Sequence, residues 1–155
     1  MSTLSLTSSA FANGAAIPRQ FTCDADDRSP ALAWSGAPPG TQSLAIIADD
    51  PDAPVGIWTH WLIWNLPPGA TLLAQDQPKT ETLSNGARQG LNDFRRLGYG
   101  GPCPPPGSPH RYFFRLYALS ARVDLKPGAT KAELEAAIKP HIIAETQLMG
   151  TYQRP

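Results

Sequence analysis

The chain has 155 residues with 13 basic and 13 acidic side chains, so its formal charge cancels when the histidines are neutral. That length suits one domain with its own core, and the cancelled charge excludes a global field drawing the protein to nucleic acid or an anionic membrane surface. Its 17 prolines lie among aromatic and aliphatic residues that recur along the whole chain, which marks them as builders of ordered loops and not of disorder.

From the N-terminus, Met1 to Gln20 has no basic start followed by an apolar run, and no segment approaches roughly eighteen continuous apolar residues. A cytoplasmic protein without a transmembrane segment is therefore expected. Short apolar or alternating stretches predict strands over residues 4–7, 31–34, 43–49, 58–66 and 111–119. Pro- and Gly-rich loops separate them, notably 35–40, 50–54 and 98–109. After Lys126-Pro127-Gly128 the pattern changes. Thr130 with Glu133 forms a capping box, and Leu134, Ala137 and Ile138 follow at helical spacing, predicting an amphipathic helix from Thr130 to about Lys139. Pro140 ends it, and a second short helix is expected from about His141 to Met149, with Gly150 as its C-terminal cap. The outline is a single β domain over 1–155 finished by two small helices. No fixed-period repeat or long charge run suggests a second unit.

Cys23 and Cys103 have no CxxC spacing, so neither a zinc knuckle nor a redox motif is read. Two free thiols are expected in a reducing compartment, while a bridge requires the two loops to meet.

Chemistry-bearing residues gather in three segments: Asp50-Pro51-Asp52-Ala53-Pro54, Trp58-Thr59-His60-Trp61, and the loop from Gly98 to Gly107 running into His110-Arg111-Tyr112. Strand alternation places Trp58, His60, Leu62 and Trp64 on one face, and His110, Tyr112 and Phe114 on one face of another strand. A carboxylate at Asp50 can accept a hydrogen bond from His60 and fix its tautomer, leaving the other ring nitrogen for an anion. His110 and Tyr112 add an imidazole and a phenol, and Gly100 and Gly101 let backbone N–H groups approach an oxyanion. Asp52 reads either as a pocket residue or as a turn residue bonding its own backbone. Arg111 points away from His110 and Tyr112, toward a structural ion pair. Trp61 and Trp64 read as core, whereas Trp58 reads as rim. The PxxP match at Pro102-Cys103-Pro104-Pro105 is too short to define a polyproline ligand, and the two histidines and aspartate lack close metal-ligand spacing.

These segments resemble the signature of the phosphatidylethanolamine-binding protein family, and Gly98-Tyr99-Gly100-Gly101-Pro102-Cys103-Pro104-Pro105 is similar to its bacterial branch, often called Raf-kinase-inhibitor-like proteins. Ile17-Pro18, Phe21-Thr22-Cys23, Ser29-Pro30-Ala31-Leu32-Ala33-Trp34, Gly90-Leu91-Asn92-Asp93-Phe94 and Gly150-Thr151-Tyr152 extend the resemblance over most of the chain. It departs at Ala25, where relatives commonly have glycine. The resemblance implies a mainly β fold, in which a large antiparallel Greek-key sheet packs on a smaller sheet and short C-terminal helices follow. It implies a ligand site of Asp50, Asp52, Trp58, His60, Gly101, Pro102, His110 and Tyr112 for phosphate, acetate or a phospholipid head group, with no metal or organic cofactor. A homodimer, and regulation of an unidentified protein partner, are further expectations of this kind. The competing expectation is an enzyme using Asp50, His60 and Tyr112 for non-covalent acid–base hydrolysis, isomerisation or cyclisation. A covalent route lacks support: there is no Gly-x-Ser-x-Gly elbow, and Cys103 sits between prolines with no activating neighbour.

Overall fold

The computed structural model describes residues 3–154. Strands β1 (Ser5–Thr7), β2 (Leu32–Ser35), β3 (Ser43–Asp50), β4 (Trp58–Leu66), β5 (Leu72–Leu73), β6 (Arg88–Gln89) and β7 (His110–Leu119) are followed by helix α1 (Lys131–Ile138) and strand β8 (Ile142–Tyr152). The small sheet has the order β1-β2-β5 and the large one β6-β4-β3-β7-β8. Every pairing between these strands is antiparallel. Because β7 returns to lie beside β3, after β4 and β6 have extended the sheet on the other side, the large sheet is a Greek key.

The sequence of β3 explains its central place: it is buried at every position, with apolar residues directed to both faces. Leu44, Ile46 and Ala48 join Trp61, Ile63, Phe114, Leu6, Leu32 and Trp34 in the core between the two sheets. Ala45 and Ile47 join Leu62, Trp64, Leu134 and Ile138 in a second core beneath α1. The capping box at the start of α1 forms as expected: Thr130 Oγ1 accepts from Glu133 N at 3.3 Å, and Glu133 Oε1 accepts from Thr130 N at 2.9 Å.

The predicted second helix is a strand. A single 3₁₀ turn (Lys139–His141) leads into β8, which pairs along β7 from His110↔Tyr152 to Leu119↔Ile142. Ala144, Leu148, Gly150 and Tyr152 point inward at the two-residue period of a strand. Gly150 caps nothing. A Cβ there would lie 2.5 Å from Ile17 Cγ1 and 2.8 Å from Phe11, so glycine is required by close packing of the N-terminal segment. That segment covers the end of β8 through bonds from Gly14 N to Met149 O and Ile17 N to Thr151 O.

A second departure concerns β4. The pairing steps from Ala48↔Trp61 to Asp49↔Thr59, leaving His60 as an extra residue in β4. This bulge turns His60 and Trp61 to the same inter-sheet side, while Leu62 and Trp64 face α1. The simple alternation expected for Trp58, His60, Leu62 and Trp64 therefore fails after His60. The thiols are not free either: Cys23 and Cys103 form a disulfide with Cα atoms 5.4 Å apart, tying the loop before β2 to the loop before β7.

Candidate functional site

Where β3 ends and β4 and β7 begin, three loops converge on a cavity of about 200 Å³. Asp50, Trp58, His60, His110 and Tyr112 supply its polar groups, and Ala53, Pro54, Val55, Phe94, Cys103, Pro104 and Pro105 supply an apolar wall. The sheet sets this grouping through the Asp50↔Trp58 pair and through His60, which the bulge turns toward Tyr112 at 5.2 Å between ring centroids.

Hydrogen bonds fix both imidazoles. His110 Nδ1 lies 2.7 Å from Asp50 Oδ2, whose Oδ1 accepts from Asp52 N at 2.7 Å. His60 Nδ1 lies 2.6 Å from the carbonyl oxygen of Gly100. Since a carbonyl only accepts, His60 carries its neutral-state proton on Nδ1, and the Asp50 carboxylate selects the same tautomer for His110. In each ring Nε2 is left as an acceptor when neutral and a donor when protonated. Burial lowers the pKa of His60, against an opposing pull from its bond to Gly100 and from Asp50.

Among the described residues, two buried polar side-chain atoms lack a hydrogen-bond partner, Tyr112 Oη and Trp58 Nε1, and both residues line the cavity. Tyr112 is 3% exposed, and burial with the nearby Asp50 charge raises its pKa, so its hydroxyl keeps its proton as a donor. An orphaned donor costs free energy in the folded state, which sets Tyr112 apart from an ordinary core residue.

The structure thus brings Asp50, Trp58, His60, His110 and Tyr112 together, but with a different internal pairing. Asp50 bonds His110 and not His60. Asp52 does not line the cavity: its carboxylate accepts from Arg111 N and Nε at 2.9 Å each and from Nη2 at 2.9 Å, which lowers its pKa to about 2. That is the structural ion pair expected of Arg111. Gly101 and Pro102 also lie outside the cavity wall. Gly101 N donates to Asp27 Oδ1 at 2.7 Å, and Gly100 N donates to His60 O at 2.9 Å, so neither amide is left for an oxyanion. A Cβ on Gly101 would lie 2.2 Å from Phe21 O, which explains the glycine by backbone approach, not by ligand approach. Pro102 O accepts from Cys23 N at 3.1 Å beside the disulfide.

Sequence reasoning missed Phe94 and the wall from Ala53 to Val55. Phe94 makes edge contacts with Trp58 and His60, at 5.5 Å in both cases. Its turn is pinned by Asp93, which gives its amide to Thr59 O at 2.9 Å and takes Thr59 N at 2.7 Å. The only available signal was Val55 and Ile57, two large apolar residues in a loop, now 78% and 58% exposed beside the site. Among the described residues no cluster of three or more His, Cys, Asp or Glu is placed to hold a metal ion, and no helix is long and apolar enough to cross a membrane.

The family model for phosphatidylethanolamine-binding protein matches residues 7–153. A UPF0098 protein of Methanothermobacter thermautotrophicus is 48% identical over 151 residues, covering 97% of this chain and 99% of that protein. A UPF0098 protein of Aquifex aeolicus is 46% identical over 95% of this chain and 86% of its own length. Among solved structures, a putative phosphatidylethanolamine-binding protein homologue from Chlamydia trachomatis superposes with a TM-score of 0.91 at 39% identity, covering all of both chains. E. coli YbcL, described as a member of the mammalian family, superposes with a TM-score of 0.92 at 33% identity over 98% of this chain and 99% of its own.

Proposed function

This chain belongs to the phosphatidylethanolamine-binding protein family, and from that premise we propose that it captures the anionic group of a small molecule, phosphate-like or carboxylate, in the cavity of Tyr112, His60 and His110. The observation that carries this reading is the buried, protonated and unpartnered Tyr112 hydroxyl beside two imidazoles whose Nδ1 protons are already committed. An anion accepts from Tyr112 and draws a proton onto Nε2 of an imidazole, and the Asp50 carboxylate behind His110 compensates the imidazolium so formed. The apolar wall of Pro54, Val55 and Phe94 suits the carbon skeleton that carries the anionic group, such as a head group or a phosphorylated metabolite.

Calorimetric titration with methylphosphonate, phosphoethanolamine and acetate tests the reading. Saturable binding to the native protein, weakened about tenfold in Tyr112→Phe, is expected from loss of one charge-assisted hydrogen bond. No saturable binding of any of the three would reject it. The Asp50–His110 bond at 2.7 Å favours one second reading: a carboxylate-oriented imidazole is also a general base, with Tyr112 as proton donor. Turnover that follows a histidine-like pH profile and is lost in His110→Gln would move that reading first.

A further inference from the structure

A second cavity, of about 310 Å³, lies on the far side of Phe94 and Cys103, the two residues that line both cavities. Its remaining wall includes Asp27, Lys79, Asn92, Arg96 and Tyr99. The placement of Phe94 as a partition is built into the chain. A Cβ on Gly100 would lie 2.6 Å from Phe94 Cδ2, so this glycine makes room for the ring, and Asn92 Oδ1 accepts from Phe94 N at 2.9 Å.

The two cavities differ in charge. The first is lined by one carboxylate and two imidazoles and has no permanent cation. The second has two cations against one carboxylate, an excess of one positive charge. Asp27 is already engaged, since Oδ1 accepts from Gly101 N at 2.7 Å and Oδ2 from Lys79 Nζ at 3.3 Å. Lys79 Nζ also donates to Asp27 O at 3.1 Å, which leaves one of its three protons, while the Arg96 guanidinium makes no hydrogen bond or ion pair among the described residues. Asn92 spends its amide on Gly98 O, Phe94 N and Arg96 N, so it holds the wall and not a ligand. The fixed positive charge that the first cavity lacks thus stands directly across Phe94.

We propose that the second cavity is an anion subsite that works with the first on one ligand, so that the chain takes a small organic molecule bearing two anionic groups on a short spacer. The proposal rests on the anion reading of the first cavity. Arg96, with its planar set of donors, receives the second group, Lys79 assists it, and Phe94 packs against the spacer between them.

The test is calorimetric titration of the native protein with methylphosphonate and with α,ω-bisphosphonates of increasing methylene spacer. One spacer length is expected to bind about tenfold or more tightly than methylphosphonate, by the effective-concentration gain of a second linked contact. Arg96→Gln should remove that gain while changing methylphosphonate affinity less than about twofold, and Arg96→Lys should restore part of it. If methylphosphonate binds but no bisphosphonate exceeds it, the second subsite is wrong and the first stands. An equal loss for both compounds in Arg96→Gln also overturns the subsite, because the arginine then acts as a general field. If no phosphonate binds the native protein the subsite falls, and the reading of the first cavity falls with it when phosphoethanolamine and acetate also fail to bind.

Discussion

Asp49 and Asp50 are neighbours in the chain, both 3% exposed, and β3 sends them to opposite faces. On the α1 side, Asp49 takes Lys131 Nζ at 3.1 Å and Arg115 Nη2 at 3.2 Å. On the inter-sheet side, Asp50 takes His110 Nδ1 at 2.7 Å. The partners make the difference. Lys131 and Arg115 are permanent cations, and Arg115 runs on to Gln147 Oε1 at 3.1 Å away from the inter-sheet cavity, whereas the imidazole on Asp50 has a second ring nitrogen and itself lines that cavity. Burial of a carboxylate alone does not mark a site; on the Asp50 side the mark is the unpartnered hydroxyl of Tyr112, whose ring stacks near the imidazole that Asp50 holds.

The largest expected effect comes from the bond that holds the loops on the Asp50 side. The Cys23–Cys103 bridge closes a loop with a sequence separation of 80. By loop-closure entropy its removal in Cys23→Ser/Cys103→Ser should cost about 4 kcal/mol in urea unfolding. A loss below about 1 kcal/mol would mean that the unfolded chain is already constrained there. Next, Asp49→Ala strands two partly exposed cations and should cost about 1–2 kcal/mol, less than a fully buried pair, without altering anion affinity. Asp50→Asn should do the reverse, weakening methylphosphonate about tenfold and changing stability by less than about 1 kcal/mol. If the two variants exchange these outcomes, the contrast between the faces is wrong. Tyr112→Phe should raise stability by up to about 1 kcal/mol, since it removes an unsatisfied buried hydroxyl, while it weakens binding.

The smallest effect is a pH dependence. Burial holds His60 below its ordinary 6.5, so as pH falls through that value the unfolded chain takes a proton that the native protein refuses until lower pH. The stability linked to His60 is complete above about 6.5 and is lost across the window beneath. Sulfate, whose own charge is constant there, should favour the imidazolium and shrink the loss. Thermal unfolding scans with and without sulfate, on native protein and His60→Gln, check this, and an unchanged slope in His60→Gln would remove His60 from the account.

The sequence made the central strands legible because 43–49, 58–66 and 111–119 combine apolar density with turn signals at both ends. Of the eight residues it named for a site, Asp50, Trp58, His60, His110 and Tyr112 meet at one cavity, and Asp52, Gly101 and Pro102 lie outside its wall. It misread 142–149 because Gly150 suggested a cap, although Ala144, Leu148 and Tyr152 already carried the strand period. The pairing of Asp50 with His110 was hidden by sheet order, for nothing local says that β7 and not β4 offers the nearer imidazole. Phe94 was hidden for a similar reason, since its placement depends on Asp93 gripping Thr59 across 34 residues. The disulfide was left open because only the meeting of two loops decides it.

The bulge in β4 bears on how such a site can be gained or lost. Ala48 already faces Trp61 and Asp49 already faces Thr59, so removal of His60 alone closes the ladder without a gap. The imidazole is an added residue in a ladder whose other register shift lies at the far end, between Leu44 and Ile46. A chain shorter by that one residue keeps the residues of both cores and loses the ring that meets Tyr112, so inserting one residue in a paired strand is enough to bring an imidazole to the cavity.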